Sequence, residues 1–181
     1  GLAAAYFLAR GGVKVTLFEK EEKLGGVVRN VIPGFRISDE AIDNDAKLIE
    51  AMGVEIVTGR EIGSVDEVKK DYDYVVLALG ASTPGVLRLE KGEAMNALEF
   101  LADGNLDLGE NVVVIGGGNT AMDTARAAKR NKGVKKVSLV YRRTKRYMPA
   151  DAEELEMAIE DGVEFAELLS PVKLENGVLY C

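Results

Sequence analysis

The residues with the most chemical content lie in "NVVVIGGGNTAMDTA", positions 111–125. A β-branched apolar run enters three glycines, and a helix start built of small residues follows. Strand, G-x-G-x-x-A, helix is the spacing of a dinucleotide cradle. In that spacing Gly116 permits a tight turn and Gly118 lets a pyrophosphate come close to backbone N–H groups. Ala121 lets the helix pack closely on the strand. The helix start then offers unpaired N–H groups and a partial positive charge to the anion.

The end of the following strand selects the nucleotide. It reads "LVYRRTKR", with Arg142 and Arg143 at the strand end, Lys145 and Arg146 just beyond, and no carboxylate. Guanidinium groups bind a 2′-phosphate through paired, charge-assisted hydrogen bonds. Arginine in place of an acid here marks NADP rather than NAD. The wider segment agrees: Thr124 to Ala150 holds ten Lys or Arg and no Asp or Glu, in a chain of net charge −7. Arg126, Lys129, Arg130 and Lys132 read as a solvated basic helix face. Asp123 and Glu153, the nearby acids, read as first-turn helix charge and a solvated face rather than catalytic groups.

An incomplete copy of the same pattern comes first in the chain. Gly1 stands where the last glycine of a G-x-G-x-x-G would be, followed by a helix and the strand "VKVTLFEK". Glu19 lies 18 positions after Gly1, hence about 23 after the place of a first glycine. That is near the roughly 20-residue offset of a ribose-binding acid. A carboxylate accepts from a 2′-hydroxyl and repels a 2′-phosphate, so this lobe is expected to hold an unphosphorylated adenosine ribose, as in FAD or NAD. "EKLGGVVRNVIPGF" adds Gly25 and Gly26, which admit a pyrophosphate or ribityl chain at close range. Arg29 in the same stretch adds positive charge against phosphate. "VVLALGA", 75–81, reads as a buried strand ending in small residues at Gly80, where a flavin nucleotide would be covered.

Alternating elements must position these groups. The pattern predicts a helix over 2–10, a strand over 13–20 and a loop broken by Gly25, Gly26, Pro33 and Gly34. A helix then runs from the Ser38 cap to a stop at Gly53. A short strand "VEIVTG", a short helix "VDEVKKD" and the strand ending at Gly80 follow. A connector with Pro84 and a helical piece near 95–102 leads into a second cycle. That cycle has a strand over 111–115, a helix over 119–130, the strand "KKVSLVYRR", the helix "ADAEELEMAIEDG" and two or three short strands in 163–181. Strands alternating with helices predict an α/β fold of two Rossmann-like βαβ lobes with parallel sheet, the N-terminal lobe truncated. We set the lobes at 1–95 and 96–181, the join falling between Ala81 and Gly109.

Composition removes other classes. Hydrophobic residues make up 47%, enough for a packed core. The acidic balance argues against nucleic acid and anionic membrane as partners. There is no histidine, which excludes Ser-His and Cys-His catalysis and histidine metal sites from this segment. The one cysteine, Cys181, cannot make an internal disulfide, a CxxC pair or a cysteine-ligated cluster. No apolar run approaches the ~18 residues of a membrane span, and no secretory leader is seen. A cytoplasmic setting is expected. "GLAAAYFLARGG" starts inside a helical pattern and "ENGVLYC" stops within a strand-like run. Both predict a piece of a longer polypeptide.

Taken together, "LFEKEEKLGGVVRNVIPGFRIS", "VVVIGGGNTAMDTARAAKR" and "VSLVYRRTKRYMPA" resemble the small (beta) chain of NADPH-dependent glutamate synthase. They also resemble its relatives, candidate selenate reductase subunits and the N-terminal half of dihydropyrimidine dehydrogenase. The likeness covers essentially the whole chain, and "RNVIPGFRISDEAI" looks closest to the selenate-reductase-like branch. The resemblance implies a glutathione-reductase-like pair of Rossmann lobes, the first binding FAD and the second NADPH. Hydride would pass from NADPH to FAD, and electrons would leave singly through iron–sulfur clusters to an electron-accepting partner subunit or domain. By position it implies FAD contacts from Gly1, Glu19, Lys20, Gly25, Gly26, Arg29 and Gly80. It implies NADPH contacts from Gly116, Gly118, Asn119, Thr120, Arg142 and Arg143. No catalytic side chain and no metal ligand is expected in the chain.

The family's cysteine-rich cluster region, its first FAD strand with two glycines, and its C-terminal return to the FAD lobe do not occur in these residues. The edge beside "VTLFEK" is therefore expected to lack its central neighbour. Two other readings stand beside this one. A pyridine nucleotide-disulfide reductase would need a CxxC in one lobe. A dinucleotide-binding sensor or scaffold subunit would bind without turnover.

Overall fold

The computed structural model describes residues 1–181 other than 82, 84 and 105. The break expected at Pro84 therefore lies outside the described residues. The chain divides into two compact units, Gly1–Ser82 and Thr83–Cys181.

In the first unit the Ala-rich start forms α1 (Leu2–Arg10), as its composition predicts. β1 (Thr16–Phe18) pairs in parallel with β2 (Glu55–Val57), Leu17 standing opposite Ile56. Between them the stretch expected as loop contains a single helical turn, α2 (Val27–Asn30), before α3 (Asp39–Ala51). Ser38 caps α3, its hydroxyl accepting from Ala41 N–H at 3.2 Å. Asp39 and Glu40 sit in the first turn, where carboxylates favour the helix dipole. Ala5, Ile49 and Val54 form the buried centre, with Leu2, Tyr6, Ala9, Val15, Leu17 and Ile56 packed round it. "VDEVKKD" yields only a 3-10 turn, Val65–Glu67.

The buried strand expected over 72–80 does not form. Tyr74 is 89% exposed and Leu79 85%, and Val76 and Leu77 are also exposed. A strand apolar on both faces needs ladder partners on its sides and cover above and below. Among the described residues β1 and β2 pair only with each other, so 72–80 has no ladder to join.

The second unit holds a parallel sheet in the order β3-β4-β5: β3 (Asn111–Ile115), β4 (Lys136–Tyr141) and β5 (Glu164–Glu167). β4 is central, with Leu139 opposite both Val114 and Phe165. α5 (Asn119–Arg130) connects β3 to β4, and α6 (Ala152–Glu160) connects β4 to β5. The buried face of α5 carries Ala121, Met122, Ala125 and Ala128, small enough apart from Met122 to bring the helix close to the sheet. Met122, Leu139 and Val137 are fully buried, each contributing on the order of 2 kcal/mol of apolar transfer. α4 (Ala97–Ala102) adds Phe100 to this core and starts at Asn96, whose side chain accepts from Leu98 N–H at 2.8 Å.

Arg126 and Arg130 are not a solvated face. Arg126 Nε donates to Asp161 Oδ2 at 2.7 Å. Arg130 grips the same carboxylate with both terminal nitrogens, at 2.6 and 2.9 Å. Asp161 closes the C-terminus of α6, so this cluster fastens α5 to α6. The sequence reading missed it because the acid lies in a later element.

After β5, the hairpin β6 (Lys173–Glu175) and β7 (Val178–Tyr180) turns through Asn176 and Gly177 at φ 52° and 75°. Asn-Gly favours such positive angles. Residues 90–92 lie alongside β6: Glu90 N–H donates to Val172 O, and Leu174 N–H to Lys91 O, both at 2.8 Å.

Candidate dinucleotide site

The turn from β3 into α5 uses each of its three glycines for a different reason. Gly116 has φ 148°, a region that side chains avoid, and a Cβ there would stand 3.2 Å from the Ala121 Cβ. Both positions are small because the start of α5 lies against the end of β3. Gly117 is buried, and a Cβ on it would stand 2.5 Å from Cε2 and 2.6 Å from Cδ2 of the Tyr141 ring. Gly118 has ordinary backbone angles, and a Cβ on it would meet nothing within 4 Å. It precedes a helix of 12 residues that has no side-chain cap and no acid in its first turn. The first N–H groups of any helix lack intrahelical acceptors, so the positive pole of α5 faces the open space beside Gly118.

Of the polar residues expected here, Asn119 is engaged within the chain. Its Nδ2 donates to Asp151 Oδ2 at 3.2 Å, and Asp151 N–H donates back to its Oδ1 at 3.1 Å. Ala150 N–H also donates to Gly117 O at 3.0 Å, so the segment after β4 returns to the glycine turn. Thr120 is exposed, and its carbonyl accepts from the Thr124 hydroxyl at 2.7 Å.

Arg142 and Arg143 follow directly on β4 and are both exposed. With Thr144, Tyr147 and Leu168 they line an open pocket of about 400 Å³, to which the glycine turn does not contribute. The pocket's frame is hydrogen-bonded on several sides. Tyr141 donates its hydroxyl proton to Tyr147 O at 2.6 Å. Lys145 N–H donates to Glu167 Oε2 at 2.6 Å. Leu168 N–H donates to Arg143 O at 3.3 Å, and Leu169 N–H to Tyr141 O at 3.1 Å. Gly117, Tyr141, Tyr147 and Leu168 were not singled out by the sequence pattern. The middle glycine of "GGG" was a signal, but the ring that demands it arrives 24 positions later.

In the first unit Gly1 caps α1, its carbonyl accepting from Ala5 N–H at 2.9 Å. Glu19 continues the ladder beyond β1, donating to Val57 O at 2.9 Å, while its carboxylate accepts from Glu21 N–H at 3.0 Å. Lys20 is exposed, with Nζ 3.8 Å from the Glu21 carboxylate. Gly25 and Gly26 part company. A Cβ on Gly25 would stand 2.8 Å from Arg29 Cβ and 3.0 Å from Ile42, whereas Gly26 opens on free space. Arg29, expected against a phosphate, is turned inward: its side chain is 6% exposed. Its Nε donates to Leu24 O at 2.6 Å, and its guanidinium pairs with Asp43 and with Asp39, the latter at 3.2 Å. Gly80, at φ 74°, is exposed with open space beside it.

One carboxyl of the second unit, at the end of α5 away from the glycine turn, is electrostatically tuned. The Arg130 hydrogen bonds hold Asp161 below the ordinary aspartate range, against the opposing pull of partial burial and with Arg126 assisting. Among the described residues no group of three or more His, Cys, Asp or Glu is placed to hold a metal ion. Among them, no helix is long and apolar enough to cross a membrane.

The sequence profile of the pyridine nucleotide-disulphide oxidoreductase family matches residues 1–175. The chain is 45% identical over 183 residues to a protein of Escherichia coli strain K12 named as an oxidoreductase, YgfK, covering 97% of this chain and 18% of that one. It is 35% identical over 199 residues to the glutamate synthase [NADPH] small chain of the same strain, covering 98% of this chain and 42% of that one. The chain thus spans less than half the length of either relative, and the expected resemblance to glutamate synthase small chains holds along nearly all of it. Among solved structures, 2-naphthoyl-CoA reductase in complex with 2-naphthoyl-CoA superposes with a TM-score of 0.76 at 19% identity, over 98% of this chain and 28% of that one. At that identity the likeness concerns the fold, and it agrees with the α/β architecture expected from sequence.

Proposed function

The chain belongs to the pyridine nucleotide-disulphide oxidoreductase family, and from that premise we propose that it is the dinucleotide-handling part of an NADPH-dependent flavin oxidoreductase. The observation that carries this reading is the β3–α5 turn. Gly118 opens on free space at a helix start that has no side-chain cap and no acid in its own first turn. Such a pole fits the pyrophosphate of a dinucleotide. Arg142 and Arg143, exposed at the end of β4, would take the 2′-phosphate that separates NADPH from NADH. In the first unit Glu19 at the end of β1, with the open backbone of Gly26 and Gly80, suits the ribose and pyrophosphate of FAD. Arg29 and Gly25 would serve that site by holding its loop on α3 rather than by touching the cofactor.

When bound, nicotinamide and flavin supply the hydride-transfer chemistry between themselves. The side chains of this chain bind, orient and exclude water, which suits a sequence without histidine. The disulphide chemistry in the family's name needs a pair of thiols, and this sequence has the single Cys181. The small-chain name of one relative supports a partner subunit, and we extend the reading to electrons passing on to that partner through iron–sulfur clusters outside these residues. We assign the whole a cytoplasmic setting.

The test is a titration of the chain with NADPH and NADH, repeated with Arg142→Ala and Arg143→Ala. NADPH should bind at least tenfold more tightly than NADH, and each substitution should narrow that gap. Equal affinities, unmoved by either substitution, would overturn the assignment. Yellow flavin held by the chain and bleached by NADPH supports the enzyme. NADPH binding without any uptake of added FAD favours instead a nucleotide-binding subunit without turnover.

A further inference from the structure

Leu168 combines two features that its own stability does not explain. Its backbone lies at φ 62°, a left-handed conformation that costs a leucine free energy, and its side chain is 66% exposed. Strain of this kind persists where the surroundings over-determine it, and it gathers at ligand sites. Here two hydrogen bonds fix it: Leu168 N–H to Arg143 O at 3.3 Å and Leu169 N–H to Tyr141 O at 3.1 Å. Both acceptors lie at the end of β4, so the strained turn after β5 is locked to the segment that carries the arginine pair. The consequence is an apolar side chain held on the wall of the pocket lined by Arg142, Arg143, Thr144 and Tyr147.

We propose that Leu168 is a positioning residue for the adenine ring of the nicotinamide dinucleotide, presented by its left-handed backbone as an apolar wall beside the two guanidinium groups. This rests on the NADPH reading above. A purine has apolar faces, and a phosphate two bonds from its ribose ring needs cations close by. A pocket that sets a leucine and a tyrosine next to two arginines meets both needs at once. The adenine is common to NADPH and NADH, whereas the 2′-phosphate is not. Leu168 therefore governs affinity for both dinucleotides equally, and the arginines govern the choice between them.

The test compares the wild-type chain with Leu168→Ala, Leu168→Met and Leu168→Gly, reading Kd for NADPH, NADH and adenosine 2′,5′-bisphosphate, and Tm. Leu168→Ala should weaken all three ligands by about tenfold, the effect of removing a few methylene groups of contact. It should leave the NADPH-to-NADH ratio unchanged. Leu168→Met should stay near wild type. Leu168→Gly should bind as poorly as the alanine variant while melting no lower than wild type, because glycine accepts the positive φ without strain. A leucine that served only packing would lose Tm in the glycine variant. Unchanged affinities in Leu168→Ala and Leu168→Gly, with wild type binding NADPH, would overturn this inference alone. Failure of wild type to bind either dinucleotide would overturn it together with the reading beneath it.

Discussion

The ring of Tyr141 fills the place where a side chain on Gly117 would stand, with Cε2 2.5 Å from the position of a Cβ. The last residue of one strand therefore dictates the residue type in the turn after its neighbour. The same tyrosine donates its hydroxyl to Tyr147 O at 2.6 Å, so it couples the glycine turn to the segment bearing the arginines.

Gly117→Ala should accordingly damage the fold. The added methyl must displace an anchored aromatic ring, and overpacking of this kind costs about 1–3 kcal/mol. Urea denaturation should show a lower midpoint, and adding Tyr141→Ala should recover part of the loss. Gly118→Ala should do the reverse. Its angles suit alanine and nothing lies within 4 Å, so stability should stay within about 0.5 kcal/mol. NADPH affinity should fall, because the methyl occupies the approach to the helix start. Equal loss of stability in the two variants would contradict this division of roles.

Arg29→Met should destabilise the first unit by about 2 kcal/mol. It leaves Leu24 O without its donor and Asp43 and Asp39 without their shared cation. Chemical denaturation of the variant measures this. A variant as stable as wild type would show that the guanidinium does not hold α2 against α3.

The Asp161 cluster predicts acid sensitivity. Its carboxyl is held below the ordinary aspartate range chiefly by Arg130, so the folded state favours the charged form more than the unfolded chain does. The stabilisation is complete above the unfolded value of about 3.9 and is lost as pH falls through the depressed folded value. Asp161→Asn should lower stability at pH 7 by about 1 kcal/mol, the loss being held down by solvent screening of the partly exposed pair. It should also flatten the acid limb of a stability-versus-pH curve measured by denaturant titration. An acid limb as steep as wild type would assign the sensitivity to other carboxylates.

Asn119 and Asp151 exchange two hydrogen bonds, at 3.2 and 3.1 Å, between the starts of α5 and α6. A double-mutant cycle with Asn119→Ala and Asp151→Ala should give a coupling energy of about 0.5–1.5 kcal/mol. Additive effects would mean that the two residues act separately.

Local pattern made much of this legible. The helix 119–130 was readable to both ends because glycines precede it and its apolar positions recur on one face. α1 and the Ser38 cap were readable for similar reasons. The reading failed where the deciding partner is remote. Residues 72–80 have a strand's composition but no ladder among the described residues, and a strand exists only as a pair. Arg29 carries the charge for a phosphate, yet two aspartates on α3 claim it. Arg126 and Arg130 looked solvated because Asp161 lies more than 30 positions on. Leu168 carries no sequence signal, since its distinction is a backbone angle.

Lys91 is ion-paired with Glu175, 84 positions away, beside the strand contacts of residues 90–92 with β6. A growing chain therefore cannot finish this corner until the β6–β7 hairpin has emerged from the ribosome, and loop closure over that span is slow. A chain interrupted between β5 and β6 would keep the β3-β4-β5 sheet but leave one seam permanently unsewn, a natural handle for proteolytic quality control.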